Sequence, residues 1–178
     1  MRFIILTFFV GVTSIAKSNI SGLDLKSYRQ EVFELNKDSQ KAWEFYAKLN
    51  TLDKPSATLL AYKGIAAAHI AKVSSNPFKK LSMLRKAKMY LEEAVVMDHK
   101  NIEIRFLRYA MQVQIPKILG MSTNIQEDKN YILTNYYAFD WSSLDKEVCR
   151  YIFNFMIEEG DCSYSEKLFL MEYFHTSF

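Results

Sequence analysis

The sequence predicts an all-α fold of about eight helices in a single domain. Glycine and proline are scarce, with five and three copies in 178 residues, which argues against a β-rich fold with many tight turns. Helix-start signals and apolar stripes at helical spacing recur along the chain. The hydrophobic share of 49% is high for a disordered chain and sufficient for a packed core.

Residues 1–16 are predicted to be a signal peptide. A short positive start, Met1-Arg2, precedes the apolar run Phe3–Val12, which is too short to span a bilayer. Small residues at Ser14 and Ala16 suit cleavage after Ala16. We therefore expect an exported protein, periplasmic or secreted, with one domain over residues 17–178 and no membrane span after cleavage. The alternative is an apolar first helix of the core.

The first three helices are predicted from apolar spacing and from residues suited to helix starts. The first covers Leu23 to Lys37, with apolar side chains three and four residues apart. Ser39 is a suitable N-cap for the second, because its hydroxyl can accept a backbone N–H. Pro55 suits the first turn of the third, where a missing N–H costs no hydrogen bond.

The fourth helix carries the clearest packing signal of the chain. Asn76-Pro77 is expected to open it, with asparagine as the cap and proline in the first turn. Ala87, Leu91 and Ala94 follow at spacings of four and three and therefore share one face. A bulky residue between two small ones allows a neighbouring helix to approach closely.

Four further helices are predicted from capping residues at their starts. Pro116 should end or kink the fifth helix, and Gly160 should close the seventh. Two of the starts carry a Glu three residues after the cap, the spacing of a capping box. The starts are Asn101, Asn124 with Glu127, Ser142 or Ser143, and Ser163 with Glu166.

The stretch Leu84–Asn101 resembles the second helix and exit turn of a tetratricopeptide repeat. Leu60 and Gly64 also stand where the first helix of such a repeat has a bulky residue and a glycine. His99 replaces the usual turn proline, and the connection is about ten residues longer than a unit of ~34 residues allows. The resemblance implies a TPR-like stack of antiparallel helical hairpins.

A second resemblance covers more of the chain, from about Trp43 to Leu133. The order of the runs YKGIAAAHIAK, NPFKKLSMLRKAKMYLEEAV, NIEIRFLRYAMQVQIPKILG and NIQEDKNYI is similar to that of an uncharacterised family of small exported bacterial helical proteins. This likeness implies an all-helical architecture and export. The likeness assigns no activity and identifies no catalytic residue in this sequence.

The charge and the reactive side chains exclude several classes of function. A net charge of +3, spread along the chain, predicts no nucleic-acid partner. His69, His99 and His175 form no HExxH pair, and no GxSxG elbow or phosphate-binding glycine loop occurs. We therefore expect no enzyme activity, no metal and no cofactor. Cys149 and Cys162 are either one disulfide or two buried thiols.

One polar stripe is the candidate binding site. Arg105, Arg108 and Gln112 stand at i, i+3 and i+7 on the predicted fifth helix and so share a face. Arginine can hold a carboxylate or a peptide terminus with two hydrogen bonds. By the TPR resemblance, Tyr62 would lie on the same concave surface. The alternative is that both arginines pair with acids of neighbouring helices, for example Asp128.

Two functions follow from these observations. The first is a scaffold or adaptor that binds a protein or peptide partner in the bacterial cell envelope. The second is a carrier of an apolar or aromatic small molecule inside the helical stack, suggested by 13 Phe and 11 Tyr. Ordinary core packing is the competing explanation for that aromatic content.

Overall fold

Helices make up all the regular secondary structure in residues 22–35, 39–139 and 141–177, the part of the chain that the computed structural model describes. The all-α prediction is confirmed for these residues, which form one domain. The predicted signal peptide lies outside them. The helices are α1 Gly22–Glu34, α2 Ser39–Asn50, α3 Ala57–Val73, α4 Pro77–Met97, α5 Ile102–Gln114, α6 Ile125–Asn135, α7 Lys146–Glu158 and α8 Tyr164–Ser177.

Three predicted helix starts are confirmed by their capping hydrogen bonds. The side-chain oxygen of Asn76 accepts the backbone N–H groups of Phe78 and Lys79 at the start of α4. Asn101 accepts from the N–H of Ile104 at the start of α5. Before α8, Glu166 N donates to Ser163 Oγ while Ser163 N donates to the Glu166 carboxylate, which is the reciprocal bonding of a capping box.

The box predicted at Asn124 is absent, because the side chain of Asn124 has other partners. Its Oδ1 accepts from Gln112 Nε2 at 3.3 Å, and its Nδ2 donates to Glu127 Oε2 at 2.9 Å. No side-chain hydrogen bond caps α6 at this residue. The asparagine ties α6 to α5, a tertiary role that overrides the local signal.

The starts of α3 and α7 lie later than predicted. Pro55 precedes α3, and Ser56 is its N-cap, accepting from Leu59 N. The predicted start at Ser142 or Ser143 falls in the 3-10 turn Trp141–Ser143, after which α7 begins at Lys146. The turn is fixed by a buried hydrogen bond from Trp141 Nε1 to the carbonyl of Tyr136.

The α3–α4 hairpin contains the close helix approach that the sequence indicated. Ala87, Leu91 and Ala94 are all fully buried, as their spacing predicts. Gly64 faces them: a Cβ at this position would lie 2.8 Å from Leu91 Cγ and 3.2 Å from the carbonyl oxygen of Ala87. Only a glycine lets α4 come this close without displacing Leu91.

The core has three clusters that meet at α5. The first cluster contains residues of helices α1, α2, α3 and α4. The second contains residues of α3, α4 and α5, and the third contains residues of α5, α6, α7 and α8. Leu107 packs against all three clusters. Between α5 and α7, aromatic rings meet edge to face, with 5.5 Å between the ring centroids of Phe106 and Phe155. None of the described helices has the length and apolar character needed to cross a membrane.

Candidate functional site

An apolar groove of about 630 Å³ lies between α1, α3, α5 and α7. Its walls come from side chains that the packing of these helices leaves only partly covered, including Ile65 and Ala68 of α3 and Leu107 and Ala110 of α5. Phe33 and Tyr151 add aromatic surface, and their rings meet edge to face at 5.2 Å. An apolar surface of this kind can hold a ligand or a partner segment through apolar contacts.

The end of the groove beside α1 is closed by a buried polar cluster. The guanidinium of Arg29 forms a two-point pair with the Glu103 carboxylate, with N–O distances of 2.9 and 3.0 Å. The Tyr62 hydroxyl donates to the same carboxylate. Burial and the neighbouring Glu103 charge raise the pKa of Tyr62, so the phenol stays neutral. These groups are mutually satisfied and fasten α1 to α3 and α5.

The opposite end of the groove carries two exposed lysines. Lys72 lies in the last turn of α3 and Lys80 in the first turn of α4, the two helix ends that the hairpin connection joins. Both lysines line the groove, and neither forms an ion pair within the described residues. This end therefore presents positive charge to solvent.

The wall facing the lysines carries one acid, Glu159, at the end of α7. Gln114 Nε2 donates to its carboxylate at 3.2 Å, and both residues are exposed and line the groove. His69 lies on the α3 side. Burial, with a smaller contribution from the charge of Lys72, lowers the pKa of His69 to about 4. At neutral pH this imidazole is uncharged, so it adds no third cation beside the lysines.

The predicted arginine stripe faces α6. Arg108 holds Asp128 with two bonds, Nε to Oδ2 at 2.6 Å and Nη2 to Oδ1 at 2.7 Å. Arg105 Nη1 donates to Asp128 Oδ1 at 3.0 Å, and Glu127 contacts both arginines from the rim. The pKa of Arg108 is raised, because its bonds to Asp128 and Glu127 outweigh the effect of burial. This is the pairing with neighbouring acids that the sequence offered as the alternative.

Gln112 completes the α5–α6 contact. Its amide oxygen accepts from the backbone N–H of Asn124 at 2.8 Å, and its own carbonyl accepts from Ser122 Oγ at 2.7 Å. The side chain is fully buried. Gln112 therefore holds the loop that leads into α6.

The four predicted site residues divide between two places. Tyr62 lines the groove, whereas Arg105, Arg108 and Gln112 face α6 and do not line it. Sequence reasoning missed the groove lysines and the partly exposed apolar residues of α3 and α5. The sequence pattern that could have indicated them is the spacing of Ile65, Ala68 and Lys72 in α3. These residues stand at i, i+3 and i+7 and therefore share a face beside the buried stripe of the same helix.

A larger depression of about 1040 Å³ lies between α1, α2 and the start of α7. Its walls are charged, and many of the charges are already paired. The pairs are Lys26–Asp145, Lys41–Glu34 and Lys48–Glu31. This pairing leaves little unmet polarity for a ligand, and the apolar groove is the better candidate.

The two cysteines are free thiols, so the disulfide considered as one alternative is absent. Cys149 is buried, and burial raises its pKa to about 11, which keeps it a protonated thiol. Cys162 lies 4.0 Å from the Tyr109 hydroxyl. Among the described residues, no cluster of three or more His, Cys, Asp or Glu side chains is arranged to hold a metal ion.

The aromatic residues behind the carrier hypothesis mostly contact one another. Tyr136 is fully buried and meets the rings of Trp141 and Phe153. Tyr131 stacks on the Arg105 guanidinium at 4.6 Å. Tyr151 lines the groove, together with Phe33, Tyr62 and Phe106. Core packing therefore accounts for much of the aromatic content.

Comparisons with known proteins supply no functional assignment. The chain matches no protein-family model, and neither the curated proteins nor the solved structures contain a significant match.

Proposed function

We propose that this protein is an exported helical scaffold or adaptor that binds a protein or peptide partner in the bacterial cell envelope, without catalysis. The observation that carries the proposal is the apolar groove between α1, α3, α5 and α7. Side chains such as Ile65 and Leu107 remain partly exposed along it, although they belong to helices that are otherwise packed. Contiguous apolar surface of this kind is typical of interaction sites.

We further propose that the helices form a TPR-like stack of antiparallel hairpins. Support comes from the close α3–α4 approach at Gly64 and from the contacts of α5 with both α3 and α6. In such stacks, neighbouring units create an extended concave surface. In this proposal the groove, on the side of α3 and α5 where Tyr62 lies, is that surface.

The dimensions of the groove suit a short peptide segment. Along α5 it is lined from Glu103 to Gln114, a distance of about 16 Å at ~1.5 Å per residue. An extended chain advances ~3.3 Å per residue, so about five residues would occupy this length. A helical partner would present about three turns.

The second candidate function is a carrier of an apolar or aromatic small molecule. The groove volume of about 630 Å³ favours it, because small-molecule sites have volumes of roughly 300–1,000 Å³. Tyr151 would supply an aromatic contact. The two functions differ in what accompanies the purified protein: a protein-sized partner, or a ligand of a few hundred daltons.

Site-specific photo-crosslinking in the native envelope tests the proposal. A photoreactive residue replaces Ala110 in the groove, and a matched control replaces Val96, which is 81% exposed on the outer face of α4. We expect a protein-sized adduct from position 110 and none from position 96. Equal labelling, or no adduct from position 110, would contradict the scaffold proposal. Native mass spectrometry that finds a small ligand, displaced by Ala110→Trp, would favour the carrier.

A further inference from the structure

We propose that the groove selects a peptide segment that combines apolar residues with carboxylate side chains, and that Lys72 and Lys80 receive those carboxylates. This inference rests on the proposed scaffold function and specifies its partner. The apolar residues would contact the groove wall at Ile65, Ala68 and Leu107. The acidic residues would lie at the end where α3 leads into α4.

The two lysines differ from Arg29, the third cation that lines the groove, in having no carboxylate partner. Arg29 is held by Glu103 at the closed end. Lys72 lies in the last turn of α3 and Lys80 in the first turn of α4; both are exposed, and neither is ion-paired within the described part of the chain. Each of these exposed ammonium groups is therefore available to pair with a carboxylate of a bound segment.

The groove wall that faces the two lysines limits where the acidic residues of the partner can lie. Glu159 is the acidic group on that wall, and Gln114 fixes its position. A uniformly acidic segment would meet repulsion there, so the carboxylates should face the α3–α4 side. His69 is uncharged at neutral pH and therefore adds no positive charge to either wall. Apolar contact alone discriminates poorly between sequences, whereas complementary charge at the rim provides specificity.

Selection from a phage-displayed library of random peptides tests this inference. The bait is the chain expressed with its own N-terminal segment and purified in the form that the cell produces. Peptides that bind it but not the Ala110→Trp variant depend on the groove. We expect these peptides to be rich in apolar residues and to carry Asp or Glu more often than Lys or Arg.

A charge-reversal pair separates the lysines from overall charge. For synthetic peptides of the selected sequence, Lys72→Glu/Lys80→Glu should weaken binding about tenfold at low salt. It should also shift a repeated selection toward basic peptides. The control Lys86→Glu/Lys146→Glu has the same net charge, and its two positions are exposed and lie outside the groove. We expect it to bind as the wild type does.

The outcomes distinguish this inference from the function on which it rests. Groove-dependent peptides without an acidic preference, or equal binding by both charge-reversal variants, would overturn the role of the lysines and leave the scaffold function standing. A selection that yields no groove-dependent peptide would overturn both. An acidic preference that is lost only with Lys72 and Lys80 would support both.

Discussion

Replacing Asp128 by asparagine should strongly destabilise the protein, because it leaves two arginines buried without their main partner. Asp128 is completely buried and accepts three hydrogen bonds, two from Arg108 and one from Arg105. Both arginines are themselves less than 10% exposed. Glu127 is the remaining acid in contact with them, and its side chain is 52% exposed.

The expected loss of stability follows from the burial of the Asp128 carboxylate and its arginine partners. Removing one partner of a buried ion pair costs about 3–5 kcal/mol, since the opposite charge remains in a medium that solvates it poorly. For a domain of this size, 1 kcal/mol corresponds to about 2–4 °C in Tm. The expected loss in Tm is therefore about 6–20 °C. Glu127→Gln is the matched control, and its half-exposed charge should contribute less than ~1 kcal/mol.

Urea denaturation followed by circular dichroism measures the free energy of unfolding of both variants. We expect the midpoint for Asp128→Asn to fall while the slope of the transition stays the same, as for a change in native stability alone. A loss below ~1 kcal/mol for Asp128→Asn would contradict this prediction. It would mean that the arginine stripe does not depend on this carboxylate, and a binding role for the stripe would regain support.

Three further predictions concern the hairpin, the groove and its closed end. Gly64→Ala should lower the free energy of unfolding in urea by about 1–3 kcal/mol, because the added Cβ would lie 2.8 Å from the fully buried Leu91. The low pKa of His69, about 4 in the fold against 6.5 normally, means that the unfolded chain binds the extra proton between those values. The wild type should therefore lose stability relative to His69→Gln as the pH falls from about 6.5 to 4, and parallel pH profiles would contradict this. Tyr62→Phe should cost about 1–3 kcal/mol in thermal unfolding, because Glu103 loses a buried donor; a neutral result would exclude a structural role for that bond.

The helices could be predicted because their signals are local. The cap at Asn76, the proline after it and the spacing of Ala87, Leu91 and Ala94 each act within one or two turns of α4. Asn124 shows the limit of such signals. It has the spacing of a capping residue, yet its side chain bonds to Gln112 of another helix.

The site could not be predicted because it depends on helix placement. Sequence spacing shows that Arg105, Arg108 and Gln112 share a face, but not which helix covers that face. Asp128 lies 20 residues after Arg108, and its position opposite the stripe depends on the turn between α5 and α6. Predicting the groove would require the relative positions of still more helices, because its lining residues extend from Arg29 to Glu159.

The arginine stripe and the groove are linked through α5, which is covered on several sides at once. Arg105 and Arg108 fasten it to α6, Phe106 packs on α7, and Leu107 contributes to the groove. Weakening the α6 contact should therefore also disturb the groove wall. A loss of partner binding in an arginine variant would then not prove direct contact with the partner. Only variants such as Lys72→Glu/Lys80→Glu, which leave the buried network intact, can identify the residues that the partner touches.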